Sequence, residues 1–391
     1  AFSVRSDSAR REASAATIEW PRTLGAFDPD GVLCGVVGAS SQTLTLPGGT
    51  RVPVAGVTAV GVLPTHRRRG VLTTLMASQL DDVADRGEAL AVLNASEATI
   101  YGRFGYGVAT RLAFATVDSE RSAFAAPVPG EWWLRLVDDA EAVELAPPVF
   151  DAHVASRPGG LTRPDAFWPA IFSTAESWVG GGEHFTVVCG RAGGPPCGYA
   201  MYRVKRGTPA GHWTTVTSEV IAADPDAEAV LWRYLLDIDL TSSLEVEGGP
   251  VDGSLRWRLV DERAYRVTSE FDFLWVRVVD PVAALQARGY GAPGELVLEL
   301  VDPFRPASAG RYRLSVGTDA GGQVGAAVVA RTDGPADLAL DVSDLGAIYL
   351  GGARPSTLGA AGRIVELVPG ALAVADRMFA SERVPFCLTH F

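Results

Sequence analysis

The sequence has 391 residues, 34 Lys and Arg against 46 Asp and Glu, a net charge of −12, and 47% hydrophobic residues. That length suits two or three domains, and no apolar run approaches transmembrane length, so a soluble globular protein of multidomain α+β or α/β class is expected. The acidic balance argues against a nucleic-acid partner; a cationic substrate and ordinary solubility are both compatible with it.

Four cysteines (Cys34, Cys189, Cys197, Cys387) are scattered without a C-x-x-C pair and the five histidines are dispersed, so neither a disulfide scaffold nor a metal is expected. No cationic start followed by an apolar core marks a signal peptide. Lysine occurs only at Lys205, a compositional bias with little bearing on chemistry.

Residues 1–24 are polar and alanine-rich and read as helical, ending at Trp20-Pro21. A turn at Phe27–Gly31 leads to strands at Val32–Ala39 and Thr43–Leu46, and a Pro47-Gly48-Gly49 turn precedes a strand at Val52–Val62. That strand stops at Pro64. The basic loop Thr65-His66-Arg67-Arg68-Arg69-Gly70 follows, and then a helix from Val71 to about Arg86 with apolar residues at near-3.6 spacing, closed by Gly87. Strand, glycine-ended loop and helix together make an anion site. The first helix amides lack partners within the helix, its dipole favours negative charge, and Gly70 permits close approach.

The continuous apolar run Ala89–Ala95 reads as a buried central strand, Ser96 as the cap of a short helix, and Arg111–Val117 as the last strand of the first unit. Residues 118–130 form a linker. Thr215–Pro225 leads into a helix over Asp226–Asp237, with Asp224 as cap and Pro225 in the first turn. This repeats the earlier strand–turn–helix without its arginine loop, and Asp224, Asp226 and Glu228 crowd the helix start, where they repel pyrophosphate. From Trp275 on, strands at Glu295–Leu300, Arg311–Val316, Val324–Val329 and Leu338–Val342 precede helices around Asp344–Leu350 and Gly370–Phe379, an α+β pattern.

The loop Arg67-Arg68-Arg69-Gly70-Val71-Leu72 resembles the R/Q-x-x-G-x-G/A pyrophosphate loop of the Gcn5-related N-acetyltransferases, with Leu72 departing at the last position. Together with Ser96-Glu97-Ala98-Thr99-Ile100-Tyr101-Gly102-Arg103-Phe104-Gly105-Tyr106-Gly107 it resembles the Eis family of actinobacterial aminoglycoside N-acetyltransferases over the whole chain. The resemblance implies an acetyl-CoA-binding acetyltransferase domain at 1–127 and a degenerate acetyltransferase-like domain at 128–275. A sterol-carrier-protein-like domain at 276–391 would send its C-terminal carboxylate into the active site. An acetyltransferase domain normally opens with one more strand and helix than residues 1–24 supply, so its first strand is expected to be absent from this numbering.

On that basis Val60, Gly61, Val62, Arg67, Arg68, Arg69, Gly70, Val71, Leu72 and Ser96 are expected to bind acetyl-CoA. Tyr101 is the expected general acid and the α-carboxylate of Phe391 the general base, while Tyr106 reads as a packed aromatic. Trp20, Ala59, Asp272, Tyr290 and His390 are the expected contacts of a polycationic, aminoglycoside-like substrate, and Glu97 is a further acidic candidate. His390 stands where the family member compared has a glutamate, and Ala59 where it has a phenylalanine. The family also implies a cytoplasmic homohexamer that meets neither membrane nor nucleic acid. Acetylation of protein lysine or other cellular amines, and a non-catalytic lipid-binding or interaction scaffold, stay open as alternatives.

Overall fold

A computed structural model describes residues 17–173, 184–207, 212–319 and 321–391. The helix expected in residues 1–24 falls mostly outside the described residues; its described end is a single 3-10 turn, Trp20–Arg22. The chain divides into two compact units. One holds residues up to Thr110 with Arg157–Pro164 and Asp272–Phe391, and the other holds Arg111–Ser156 and Asp165–Phe271.

The first unit opens with β1 (Thr23–Phe27), β2 (Leu33–Thr45) and β3 (Arg51–Val62), an antiparallel meander. β2 is one strand where the sequence suggests two. Its polar interruption persists because the Ser40 hydroxyl donates to the Gly56 carbonyl and the Ser41 amide and hydroxyl both donate to the Glu19 carboxylate. Helix α1 (Val71–Asp85) crosses to β4 (Leu90–Asn94), followed by the one-turn α2 (Ala98–Tyr101) and the two-residue β5 (Gly107–Val108). Leu75, Met76, Leu80 and Val83, the buried face of α1, pack with Ala55, Val57, Ala91, Leu93 and Tyr101 into one apolar cluster.

The second unit is a seven-stranded sheet of β6 (Arg111–Asp118), β7 (Trp132–Val137), β8 (His184–Arg191), β9 (Pro196–Lys205), β10 (Trp213–Ala222), β11 (Thr241–Pro250) and β12 (Tyr265–Asp272), in the order β12-β6-β11-β10-β9-β8-β7. The strand expected to close the first unit is therefore β6, paired with β11 of this sheet. Its alternation specifies which face is buried but not which strand lies beside it. Among the described residues, helices α3 (Asp139–Ala155), α4 (Trp168–Ser173), α5 (Pro225–Leu236) and α6 (Leu255–Arg258) accompany this sheet.

The chain then returns to the first unit. β13 (Leu274–Val278) inserts between β4 and β5, pairing Trp275 with Leu93 on one side and Val108 on the other. After α7 (Pro281–Ala287) comes a five-stranded sheet of β14 (Gly294–Val301), β15 (Gly310–Thr318), β16 (Val324–Arg331), β17 (Leu338–Asp341) and β18 (Ile364–Glu366), ordered β16-β15-β14-β17-β18. Helices α8 (Val342–Tyr349), α9 (Pro355–Ala360) and α10 (Ala371–Met378) accompany it. α8 lies on β5 so closely that a Cβ on Gly107 would overlap the Ser343 carbonyl, and one on Gly346 would overlap the Val276 carbonyl. Among the described residues no helix is long and apolar enough to cross a membrane.

Candidate active site

The parallel strands β3 and β4 pair only at Ala55 with Ala91 and Gly56 with Val92. Beyond Gly56, β3 continues along β2, with a register shift near Val36–Gly38 and Ala59 at φ 53° in the left-handed region. β4 instead continues along β13 to the pairing of Asn94 with Leu274. The two strands thus part, and Val60, Gly61 and Val62, all half-buried, border the gap with backbone groups that β4 does not take up.

At the end of β3 the chain makes a 3-10 turn at Pro64–His66. The His66 ring fixes it, with Nδ1 2.9 Å from the Thr65 hydroxyl and Nε2 3.3 Å from the Asp28 carboxylate. Arg68 at φ 61° and Gly70 at φ 81° then bend the backbone into a concavity, and Gly70 caps α1 without a side-chain hydrogen bond. The first amides of α1 are left for an external acceptor, and the space where a Gly70 side chain would stand is open. Arg67, Arg68 and Arg69 are all exposed around this mouth, while Val71 and Leu72 pack partly against the cluster that holds Tyr101. Unpartnered amides, helix dipole, positive charge and open space fit a pyrophosphate.

Tyr101 ends α2 with its ring edge-on to Tyr106, the centroids 6.2 Å apart. Burial raises its pKa above the usual tyrosine value, a Ser96 hydrogen bond opposes this, and the Glu97 charge adds to it. The phenol is therefore held protonated. Tyr106 is wholly buried, which also pushes its pKa up, in keeping with a packing role. Ser96, expected to cap α2, is displaced from that role: the cap position falls on Glu97, whose side chain makes no capping bond.

The C-terminal tail reaches the same end of the sheet. The ring of His390 stands edge-on against Phe273 at 4.6 Å, and the Phe273 carbonyl accepts from the Asn94 side chain at the end of β4. Phe391 is half-buried. The Asp272 carboxylate accepts from the Trp275 indole at 2.6 Å, and that indole belongs to the Tyr101 cluster. Asp272 is thereby tied through Trp275 to the cluster that holds Tyr101, and His390 is tied through Phe273 to Asn94 at the end of β4. Trp20 is exposed on the turn before β1, three strands from β4, and Tyr290 is buried beneath the Arg288 guanidinium with its hydroxyl donating to the Leu285 carbonyl. Asn94, Phe273 and the segment Arg157–Pro164, which holds the tail, are not singled out by the sequence. The one signal it carries for them is the repeated Arg-Pro at both ends of Arg157-Pro158-Gly159-Gly160-Leu161-Thr162-Arg163-Pro164.

In the second unit the corresponding parallel strands β10 and β11 pair from Trp213 with Thr241 to Thr217 with Val246. The helix that follows is closed to anions: the Asp224 carboxylate accepts from the amides of Asp226 (2.9 Å) and Ala227 (3.0 Å). Among the described residues no cluster of His, Cys, Asp and Glu is arranged to hold a metal, and the four cysteines are free thiols.

Residues 1–109 and 159–278 each match an acetyltransferase (GNAT) domain family, and residues 281–388 match the sterol carrier protein domain. The chain is 43% identical over 371 residues to an uncharacterized N-acetyltransferase of Streptomyces coelicolor, covering 93% of this chain and 88% of that one. It is 37% identical over 347 residues to the N-acetyltransferase Eis of Mycobacterium tuberculosis, covering 87% of this chain and 81% of that one. The structure of Eis1 from Mycobacterium abscessus superimposes with a TM-score of 0.85 at 34% identity over 99% and 98% of the two chains.

Proposed function

The chain belongs to the Eis family of N-acetyltransferases, and on that premise we propose that it acetylates amines of an aminoglycoside-like polycation from acetyl-CoA, with Tyr101 as general acid and the Phe391 α-carboxylate as general base. One observation carries the reading: the His390 ring packs against Phe273, whose carbonyl accepts from the Asn94 side chain at the end of β4, in the unit that holds Tyr101 and the arginine loop. Acetyl-CoA supplies an activated acyl group. Arg67–Gly70 and the amides of Val71 and Leu72 hold its pyrophosphate, and the backbone of Val60–Val62 orients the rest. The carboxylate takes the proton that the attacking amine loses, and Tyr101 gives its proton to the departing thiolate. Asp272 and His390 flank the approach of the amine, so the substrate's charge is met chiefly by Asp272 and the chain terminus.

Acetyl-CoA turnover followed by thiol release with kanamycin or tobramycin tests the reading directly. Release is expected with at least one of them. Silence with these drugs and with a panel of polyamines would overturn it. A second reading, acetylation of protein lysine or another cellular amine, draws support from Tyr290, which is buried with its hydroxyl donating to the Leu285 carbonyl rather than free to meet a drug. Competition between a lysine peptide and kanamycin at equal concentration separates the two.

A further inference from the structure

Arg157–Pro164 belongs to the first unit by its contacts, although the chain on either side of it belongs to the second. One edge of this segment is fastened to β2. The Thr45 amide donates to Gly160, the Gly159 amide to Thr45 and the Thr162 amide to Thr43, while the Thr43 amide donates to the Thr162 hydroxyl, all between 2.8 and 3.1 Å. Its other edge holds the tail. The Phe386 amide donates to Pro158 at 2.9 Å, Arg157 Nε to Val384 at 2.9 Å, Arg163 Nη2 to Leu388 at 3.2 Å and the Thr389 hydroxyl to Leu161 at 2.7 Å. The Arg157 guanidinium also lies over the Phe386 ring. Gly159, at φ 85°, lets the two backbones touch: a Cβ there would stand 3.0 Å from the Phe386 nitrogen.

Arg157, Arg163 and Thr389 are all buried. Slipping the tail by one residue would strip these bonds from buried groups, so the strap sets the register as well as the place of the tail. The last of these bonds is two residues from the chain end. A general base acts only when held within hydrogen-bond reach of its proton.

We propose that the strap Arg157–Pro164 positions the terminal carboxylate for catalysis, with Arg163 and Thr389 as its positioning residues. This rests on the reading that the carboxylate is the general base.

The test compares Thr389→Val, Thr389→Ser and Arg163→Met with a chain lacking Phe391, using the amine that turns over in the assay above. Thr389→Val and Arg163→Met should lower kcat roughly 10- to 100-fold with the KM for acetyl-CoA unchanged, and Thr389→Ser should restore the rate. In parallel, carboxypeptidase A should release Phe391 faster from Thr389→Val and Arg163→Met than from wild type, read by mass spectrometry. If the chain lacking Phe391 is silent while the strap variants keep wild-type kcat and resist the protease, the strap proposal fails and the base assignment stands. If removing Phe391 leaves kcat intact, the base assignment fails and takes this proposal with it.

Discussion

Tyr101 is a weak acid kept weak by where it sits. Because burial raises its pKa above 10.0, the required protonated phenol persists through the neutral range and is lost only as pH climbs past the ordinary tyrosine value. The alkaline fall in kcat due to this group is expected above pH 10.0, and a fall centred near pH 8 that vanishes in Tyr101→Phe would show that burial does not raise this phenol's pKa. Tyr101→Phe keeps the ring against Tyr106 and should cut kcat roughly 10²- to 10⁴-fold with little change in stability. Arg288 presents the opposite case, a residue whose charge serves structure. It is fully buried and donates to the carbonyls of Tyr349 and Phe379, each at 2.6 Å, and its guanidinium covers the rings of Tyr290 and Phe379. Burial lowers its pKa. Arg288→Met would leave both carbonyls buried without a donor, a loss of roughly 2–6 kcal/mol, visible in thermal unfolding as an early transition. Arg288→Lys should recover only part of this, since a point ammonium cannot span two helix ends as a planar fork does.

At the scale of elements, the helices that follow β3 and β10 differ chiefly in what stands at their first turn. α1 starts on Gly70 with its amides unused, and α5 starts on Asp224 with its amides taken. Gly70→Val forces a branched side chain into φ 81°, so the KM for acetyl-CoA should rise about tenfold or more with secondary structure retained by circular dichroism. The exposed arginines beside it predict a KM that also rises with salt. Both helices are legible in the sequence because period, cap and proline are local signals. Other features are not. β13 pairs with β4 and β5 across the whole second unit, and nothing in Leu274–Val278 names those partners. β6 resembles the end of the first sheet for the same reason. The strap, irregular and glycine-containing, carries no period at all. The loop can be picked out from residue type and spacing, and Tyr101 from the motif that carries the family resemblance, whereas Phe273, Asn94 and the strap take their positions from pairings remote in sequence.

For the whole molecule, the interleaving of the first unit decides what can stand alone. β13 fills the space between β4 and β5, and α8 seals β5 through Gly107 and Gly346. A fragment ending at Thr110 would expose the β4 edge and lose the packing of Trp275 on Tyr101 and its neighbours. It should lack cooperative unfolding and be cut rapidly by protease, and a folded, protease-resistant fragment would show the interleaving to be dispensable. Gly107→Ala tests the same seam in the intact chain: the added methyl has only backbone to displace, so destabilisation beyond roughly 3 kcal/mol is expected.

The placement of β13 also bears on how the chain is made. A ribosome finishes the arginine loop early, yet the strand that completes the surrounding sheet emerges only after the whole second unit has been translated. The nascent N-terminal third must therefore wait with an open edge while the later-encoded sheet is free to fold ahead of it. A premature stop codon anywhere before Leu274 would yield no partially active product, however intact its arginines.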